Sequence, residues 1–285
     1  YKFDFIINLA AQPSAPFSFE DQAKCSFTQN NNNQILRNLI WSIRKNKLEK
    51  KTHLIHSTTT GVYGAPKIKI PEGFLKFKGE SYPFGFMAGS WYHMSKCNDI
   101  NNIYLAKKTF GINISDFRTA IVYGLNYDLY DKKNSKLFNT RFDYDYYFGV
   151  VLNRFLAMAL TNKTLTIYGK GQQKKPFIPL NDCIKSFINF VKIGKVVNSS
   201  VFNQYSHMFG IKTLANTIAS SNFITKIKIK NIKNPRIENE SHNMRMHNEN
   251  FLKILKSKPE SLKKTIDQTI EILKDNNYKF KSFFK

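Results

Sequence analysis

Three short apolar runs set the frame for any fold of this chain: Phe3 to Leu9, Thr52 to Ser57 and Asn113 to Arg118. Each leads into a cluster of small, hydroxyl or turn-forming residues, "AAQPSAP", "STTTGVYG" and "RTAIVYG". Stretches with helical spacing, Asp21 to Lys47 and Ser90 to Phe110, lie between them. Strands alternating with helices predict an α/β protein with a parallel sheet. In such open sheets ligands gather at the carboxyl ends of the strands, where the three clusters would fall. The "AIVYG" after Arg118 reads as the exit loop of the last strand.

Beyond about residue 125 the alternation loosens. "FGVVLNRFLAMAL" is helical in pattern, "LTIYGKGQQKKPFIPLND" reads as short strands and turns leading to a helix near Asp182 to Val191, and further pieces follow at "VFNQ" and Ile211 to Ser220. These predict a smaller second lobe. The tail from Glu249 to Lys285 has helical spacing and many lysines. The Asn30 to Asn33 run reads as solvated or helix-capping filler. The glycines of "YGKG" at 168 to 171 lack the spacing of a P-loop and read as a turn.

At 285 residues and 42% apolar content, the chain has enough material for a real core. Its net charge of +24 raises nucleic acid or an anionic membrane as partners. Only seven of the 44 basic residues are Arg, however, and the lysines are scattered without a patch of interleaved aromatics. The charge is read as a solvated, Lys-rich surface rather than a nucleic-acid footprint. Cys25, Cys97 and Cys183 form no Cys-x-x-Cys, so neither a metal site nor a disulfide framework is expected, and a reducing compartment is. The longest apolar stretch, residues 146 to 160, is interrupted by Asn153 and Arg154 and is too short and polar to span a bilayer.

The chemistry centres on "SWYHMSK", where Tyr92 and Lys96 stand four apart. With 14 tyrosines in a Lys-rich chain, roughly one or two such pairs are expected by chance, so the spacing needs its context. That context is a hydroxyl residue, Thr59, at a preceding strand end. On a helix Lys96 shares a face with Tyr92, and its charge is expected to favour the phenolate and lower a pKa normally near 10. Tyr92 could then take a proton from an alcohol near neutral pH, with Thr59 bonded to the same oxygen.

"LAAQPSAPFS", "STTTGVYG", "YHMSK" and "IVYG" resemble, in order and approximate spacing, the motifs of the extended short-chain dehydrogenase/reductases, the nucleotide-sugar epimerases and dehydratases. The resemblance covers most of the chain. Within that family the chain is most similar to the UDP-sulfoquinovose synthase branch, through "SAPFS", "TQNNN", "YGAP", "RFDYDYYFG", "LNRF", "TIYGKGQQ", "VFNQ" and "NPRIE". The resemblance implies a Rossmann-like doubly wound parallel sheet with a smaller C-terminal substrate lobe. Residues 1–125 would form the remainder of an NAD-binding domain carrying the catalytic Thr59, Tyr92 and Lys96. Residues 126–285 would be mainly the substrate lobe, with segments returning to the first domain.

The same resemblance implies NAD as cofactor, held at Ala10, Ala11, Tyr92 and Lys96. A UDP-sugar would be bound by Gln12, Ser14, Thr60, His93, Arg141, Asn153, Lys175, Gln204 and Arg236, with sulfite as a possible second substrate. It further implies a homodimer without membrane attachment, in the cytoplasm or a plastid-like organelle. His93 reads equally as a structural histidine, and Arg141 and Arg236 equally as surface ion-pair partners. Asn153 and Gln204 could instead satisfy backbone groups.

The departures from the family pattern are specific. No Gly-x-x-Gly-x-x-Gly occurs in these residues, and the expectation is that the glycine-rich phosphate turn precedes Tyr1. Without it the fragment alone is expected to be inactive. Ala11, Pro13 and Val62 stand where charged residues are expected, and Lys175 where Arg is. Another NAD-dependent sugar-nucleotide 4-epimerase or 4,6-dehydratase, a non-catalytic scaffold and a Lys-rich nucleic-acid binder remain as alternatives.

Overall fold

The computed structural model describes residues 2–127, 142–194, 200–233 and 243–275. The chain divides into two compact units. The first comprises Tyr1–Ala120, Ser186–Tyr205 and Met244–Lys256; the second comprises Ile121–Lys185, Ser206–Asn243 and Ser257–Lys285. The chain thus leaves the first unit at Ala120, five residues before the expected boundary.

The strands, in chain order, are β1 (Phe5–Asn8), β2 (His53–Thr59), β3 (Phe74–Phe77), β4 (Glu80–Pro83), β5 (Asn113–Thr119), β6 (Ile121–Tyr123), β7 (Leu165–Tyr168), β8 (Lys174–Pro179), β9 (Val201–Gln204), β10 (His207–Gly210) and β11 (Ile229–Ile232). In the first unit β1, β2, β5 and β9 form a four-stranded, wholly parallel sheet in the order β1-β2-β5-β9. Five of the seven residues in each of the central strands β2 and β5 are buried, as expected for a parallel sheet covered on both faces. β3 and β4 make a separate antiparallel hairpin.

Two long helices pack on one another beside the sheet: α1 (Gln22–Lys45) and α2 (Trp91–Phe110). Each starts at a residue whose side chain accepts from a first-turn N–H, Asp21 from Lys24 at 2.7 Å and Ser90 from His93 at 3.1 Å. α2 stops at Gly111, which takes the left-handed conformation (φ 65°) open to a residue without Cβ. The buried stripe of α1 runs Thr28, Asn32, Leu36, Ile40 and Ile43, at helical spacing. Its apolar end joins Leu54, Ile103, Ala106, Ile112 and Ile114 in one core. Burying each such Ile or Leu contributes roughly 1.5–3 kcal/mol. Asn32 is 1% exposed, which corrects the reading of the Asn run as solvated filler.

The second unit holds a three-stranded sheet, β10-β8-β6, and the pair β11-β7. "AIVYG" is therefore not an exit loop: Ile121–Tyr123 pairs in parallel with β8. Helices Val151–Leu160, Ile211–Ala219 and Leu262–Asp275 supply its core with Leu152, Phe155, Leu156, Leu214, Ile218, Ile266 and Ile270. Gly169 and Gly171 take positive φ at the end of β7, so "YGKG" is a turn.

Candidate active site

The carboxyl ends of β1 and β2 and the first turns of α2 bring together the residues on which the chemistry was expected to rest. After β1 the chain passes through Ala10, exposed, and Ala11, partly buried, to Gln12 and Ser14, both buried. Asn32 of α1 fixes this loop from both sides. Its Oδ1 accepts from the Gln12 N–H at 2.7 Å, and its Nδ2 donates to the Gln12 carbonyl at 3.2 Å and to Ser95 Oγ at 2.9 Å. The Gln12 side chain turns back so that its Oε1 accepts from the Ser14 N–H at 3.0 Å. Its Nε2 is a buried donor with no acceptor among the described residues. Ser14 Oγ accepts from the Phe17 N–H at 3.2 Å and so opens a short 3-10 turn.

Thr59 ends β2, and Thr60, buried, begins a second 3-10 turn through Tyr63. Thr59 Oγ1 accepts from the Gly61 N–H at 3.2 Å. The His93 ring lies so close over this turn that a Cβ on Gly61 would stand 2.3 Å from its Nε2, so only glycine leaves room for the imidazole. Tyr92 and His93 have ring centroids 5.1 Å apart. The backbone N–H of Tyr92 donates to the buried Ser18 Oγ at 3.1 Å.

The Tyr92 phenol has a pKa well above its ordinary value, and burial is the main cause. The nearby Asp99 charge pushes in the same direction, whereas a hydrogen bond with the Thr59 hydroxyl favours the phenolate. Thr59 and Tyr92 are thus in contact, as a shared grip on one substrate oxygen requires. The expected lowering by Lys96 is not what the site displays: the Lys96 ammonium is itself engaged by a carboxylate. Lys96 Nζ, almost wholly buried, lies 3.2 Å from Asp99 Oδ2 and donates to the Ser57 carbonyl at 3.4 Å.

Sequence reasoning missed what stands behind Lys96. Asp99 Oδ2 also accepts from His56 Nε2 at 3.0 Å, and His56 Nδ1 lies 2.9 Å from Asn8 Nδ2. Asn8 and His56 are register partners across β1 and β2. The signal was present in the i, i+3 spacing of Lys96 and Asp99 and in a histidine inside an apolar strand.

The remaining candidates lie elsewhere or are committed. Gln204 is fully buried, its Oε1 accepting from Thr119 Oγ1 at 2.6 Å and its Nε2 donating to Ser186 Oγ at 2.8 Å. In the second unit, Asn153 Oδ1 accepts weakly from the Gly124 N–H at 3.5 Å, and Lys175 is a partly exposed residue of β8. Arg141 and Arg236 lie outside the described residues. Val62, where a charge was expected, is fully buried. No cluster of three His, Cys, Asp or Glu fit to hold a metal ion occurs among the described residues.

This arrangement, a Tyr-x-x-x-Lys helix beside a parallel sheet with a hydroxyl at a strand end, accords with the sequence match. Residues 1–203 match the family described as NAD dependent epimerase/dehydratase. The chain belongs to that family. Two curated relatives are UDP-sulfoquinovose synthases. The chloroplastic enzyme of Spinacia oleracea is 32% identical over 249 residues, covering 84% of this chain and 50% of that protein. The enzyme of Sulfolobus acidocaldarius is 29% identical over 250 residues, covering 85% of this chain and 62% of that protein. The chain therefore spans about half to three fifths of the length of these relatives. Among solved structures it is similar in fold to a UDP-N-acetylglucosamine 4-epimerase from Methanobrevibacter ruminantium in complex with UDP-N-acetylmuramic acid. There the TM-score is 0.75 at 20% identity, covering 96% of this chain and 77% of that one. A UDP-glucose 4-epimerase from Thermotoga maritima gives a TM-score of 0.72 at 18% identity, covering 96% and 78%.

Proposed function

We propose that the protein is an NAD-dependent enzyme of nucleotide-sugar modification, and specifically that it converts UDP-glucose and sulfite into UDP-sulfoquinovose. The observation that carries the reading is the Thr59–Tyr92 contact beside the buried Lys96, in a chain whose curated relatives include two UDP-sulfoquinovose synthases.

The residues present fit a dinucleotide. The loop after β1 is built from small residues, and the buried Gln12 Nε2 beside it is a donor in need of an acceptor. Ala10, Ala11, Tyr92 and Lys96 would hold the cofactor, which supplies a hydride acceptor and later returns the hydride. Tyr92 takes the proton of the sugar 4-hydroxyl as C4 is oxidised, with Thr59 bonded to the same oxygen. The C4 ketone acidifies the C5 hydrogen, so the C5 proton and the C6 hydroxyl leave as water. Sulfite adds through sulfur at C6, a proton returns to C5, and C4 is reduced as Tyr92 returns its proton. The net change replaces the 6-hydroxyl by a sulfonate. His93, packed on Gly61 next to Tyr92, is proposed to contact the sugar. Gln12, Ser14, Thr60, Arg141, Asn153, Lys175, Gln204 and Arg236 are further proposed UDP-sugar contacts, carried by the family resemblance. Gln204 is the weakest of these, since both ends of its amide are already bonded within the chain.

We also propose a homodimer, supported by exposed apolar residues on α1 and α2. For location, the observation is that no helix among the described residues is long and apolar enough to cross a membrane. We propose the cytoplasm, or a plastid-like compartment in a eukaryote.

The test is mass spectrometry of the products formed from UDP-glucose and NAD, with and without sulfite, by protein made from its complete coding sequence. A sulfonated UDP-sugar that appears only with sulfite supports the synthase reading. A C4 epimer or a 4-keto-6-deoxy sugar formed regardless of sulfite overturns it and favours an epimerase or dehydratase. That second reading draws on Ala11, Pro13 and Val62, which lack the charges expected of a sulfite-using site.

A further inference from the structure

We propose that Asp99, backed by His56 and Asn8, is a positioning residue for the Tyr92–Lys96 pair: it anchors the Lys96 ammonium, offsets its charge, and so sets the pH at which Tyr92 can take a proton. The proposal rests on the reading of Tyr92 as the proton acceptor.

The chain of hydrogen bonds has a determined direction. The Ala10 N–H donates to Asn8 Oδ1 at 3.2 Å, which fixes the orientation of that amide. Asn8 Nδ2 can then only donate, so His56 Nδ1, 2.9 Å away, is the acceptor and carries no proton. His56 Nε2 is therefore the protonated nitrogen of a neutral imidazole and donates to Asp99 Oδ2 at 3.0 Å. The same oxygen faces Lys96 Nζ at 3.2 Å. Asn8, His56, Lys96 and Asp99 are each no more than 6% exposed. A buried ammonium needs a countercharge, and a neutral His56 leaves Asp99 to provide it. The relay begins at Ala10, in the loop proposed to hold the cofactor, and ends at the ammonium proposed to act on Tyr92.

Among the described residues no other carboxylate is paired with Lys96. His93 is the neighbour of Tyr92 on α2. From β5, Asp116 and Arg118 are paired with each other at 2.9 Å, and Asp116 also accepts from Thr58. α1 presents the uncharged Thr28 and Asn32 on its buried stripe, and the turn at Phe17–Phe19 presents Ser18. Burial and the Asp99 charge both raise the Tyr92 phenol, so the carboxylate restrains a base that Lys96 would otherwise favour.

Three measurements test this on protein made from its complete coding sequence. In the wild type, 15N NMR of labelled histidine should find His56, assigned by loss of its signals in His56→Gln, as the neutral Nε2–H tautomer at pH 7. A His56 protonated on Nδ1 overturns the proposal, and this needs no destabilising variant. In Asp99→Asn, ultraviolet titration should reveal one tyrosinate at least about one pH unit below its wild-type position, absent from the Asp99→Asn/Tyr92→Phe double variant. No shift, or a shift upward, overturns it.

With UDP-glucose and NAD, the acid limb of the kcat profile in Asp99→Asn should move down in pH while KM stays within about threefold, and Asp99→Glu should restore the wild-type position. A uniform loss of kcat with an unmoved profile marks a merely structural role and overturns it. If Tyr92→Phe keeps its turnover, the reading of Tyr92 as acceptor fails, while the NMR and titration results still decide what Asp99 does.

Discussion

Single residues carry most of what is distinctive about this chain, and His53 displays the physics most plainly. It is 1% exposed, its Nε2 is 2.9 Å from Ser115 Oγ, and its ring stacks on Phe5 and meets Phe190 edge-on. Burial, aided by the charge of Lys107, lowers its pKa from 6.5 to about 4. The folded protein therefore keeps His53 neutral where the unfolded chain takes up a proton. Its contribution to stability is complete above about pH 6.5 and is lost as pH falls toward 4. His53→Gln, which cannot titrate, should flatten the loss of stability between these limits. Urea unfolding midpoints at pH 7 and pH 4.5 check this, and an unchanged difference between the two pH values would contradict it. The same scale limits what a sequence discloses. Asn32 was legible, since it lies four residues after Thr28 and four before Leu36 on the buried stripe, yet the composition of its tract pointed to solvent. The bond between Asp99 and His56 was not, because it joins residues 43 apart in the chain, and the i, i+3 spacing of Lys96 and Asp99 marks one end of it alone.

At the scale of elements, α1 and α2 each have a buried face and a second apolar stripe that burial within the unit does not explain. Phe27 and Trp41 on α1 are 56% and 60% exposed, and Trp91, Met94 and Leu105 on α2 are 48%, 40% and 60% exposed. On α2 these fall at i, i+3 and i+14, one side of the helix. A surface of this kind favours self-association. Sedimentation analysis of the wild type should find a dimer, and Trp41→Lys with Leu105→Lys should give a monomer with unchanged circular dichroism. A wild-type monomer, or a dimer indifferent to both substitutions, would contradict the proposed homodimer. Strand-helix alternation exposed the parallel sheet because central strands are buried on both faces and so read as apolar runs. The hairpin of β3 and β4 escaped notice because its strands are four residues long and mostly exposed. β6 was mistaken for a loop because its apolar run continues that of β5 with Ala120 alone between them, and hydrophobicity does not say that a chain is changing sheets.

For the molecule as a whole, family and fold were legible because motifs at three strand ends and one helix had to occur in a fixed order. The substrate was less legible, since Ala11, Pro13 and Val62 stand where the family pattern has charged residues. The central claim is that Tyr92 moves the proton in sugar oxidation, and one substitution isolates it. Tyr92→Phe keeps the ring on α2 and removes the hydroxyl that meets Thr59. Turnover of UDP-glucose with NAD, measured on protein made from its complete coding sequence, should fall by roughly two to four powers of ten, the scale of a lost general base. Turnover within threefold of the wild type would contradict the account.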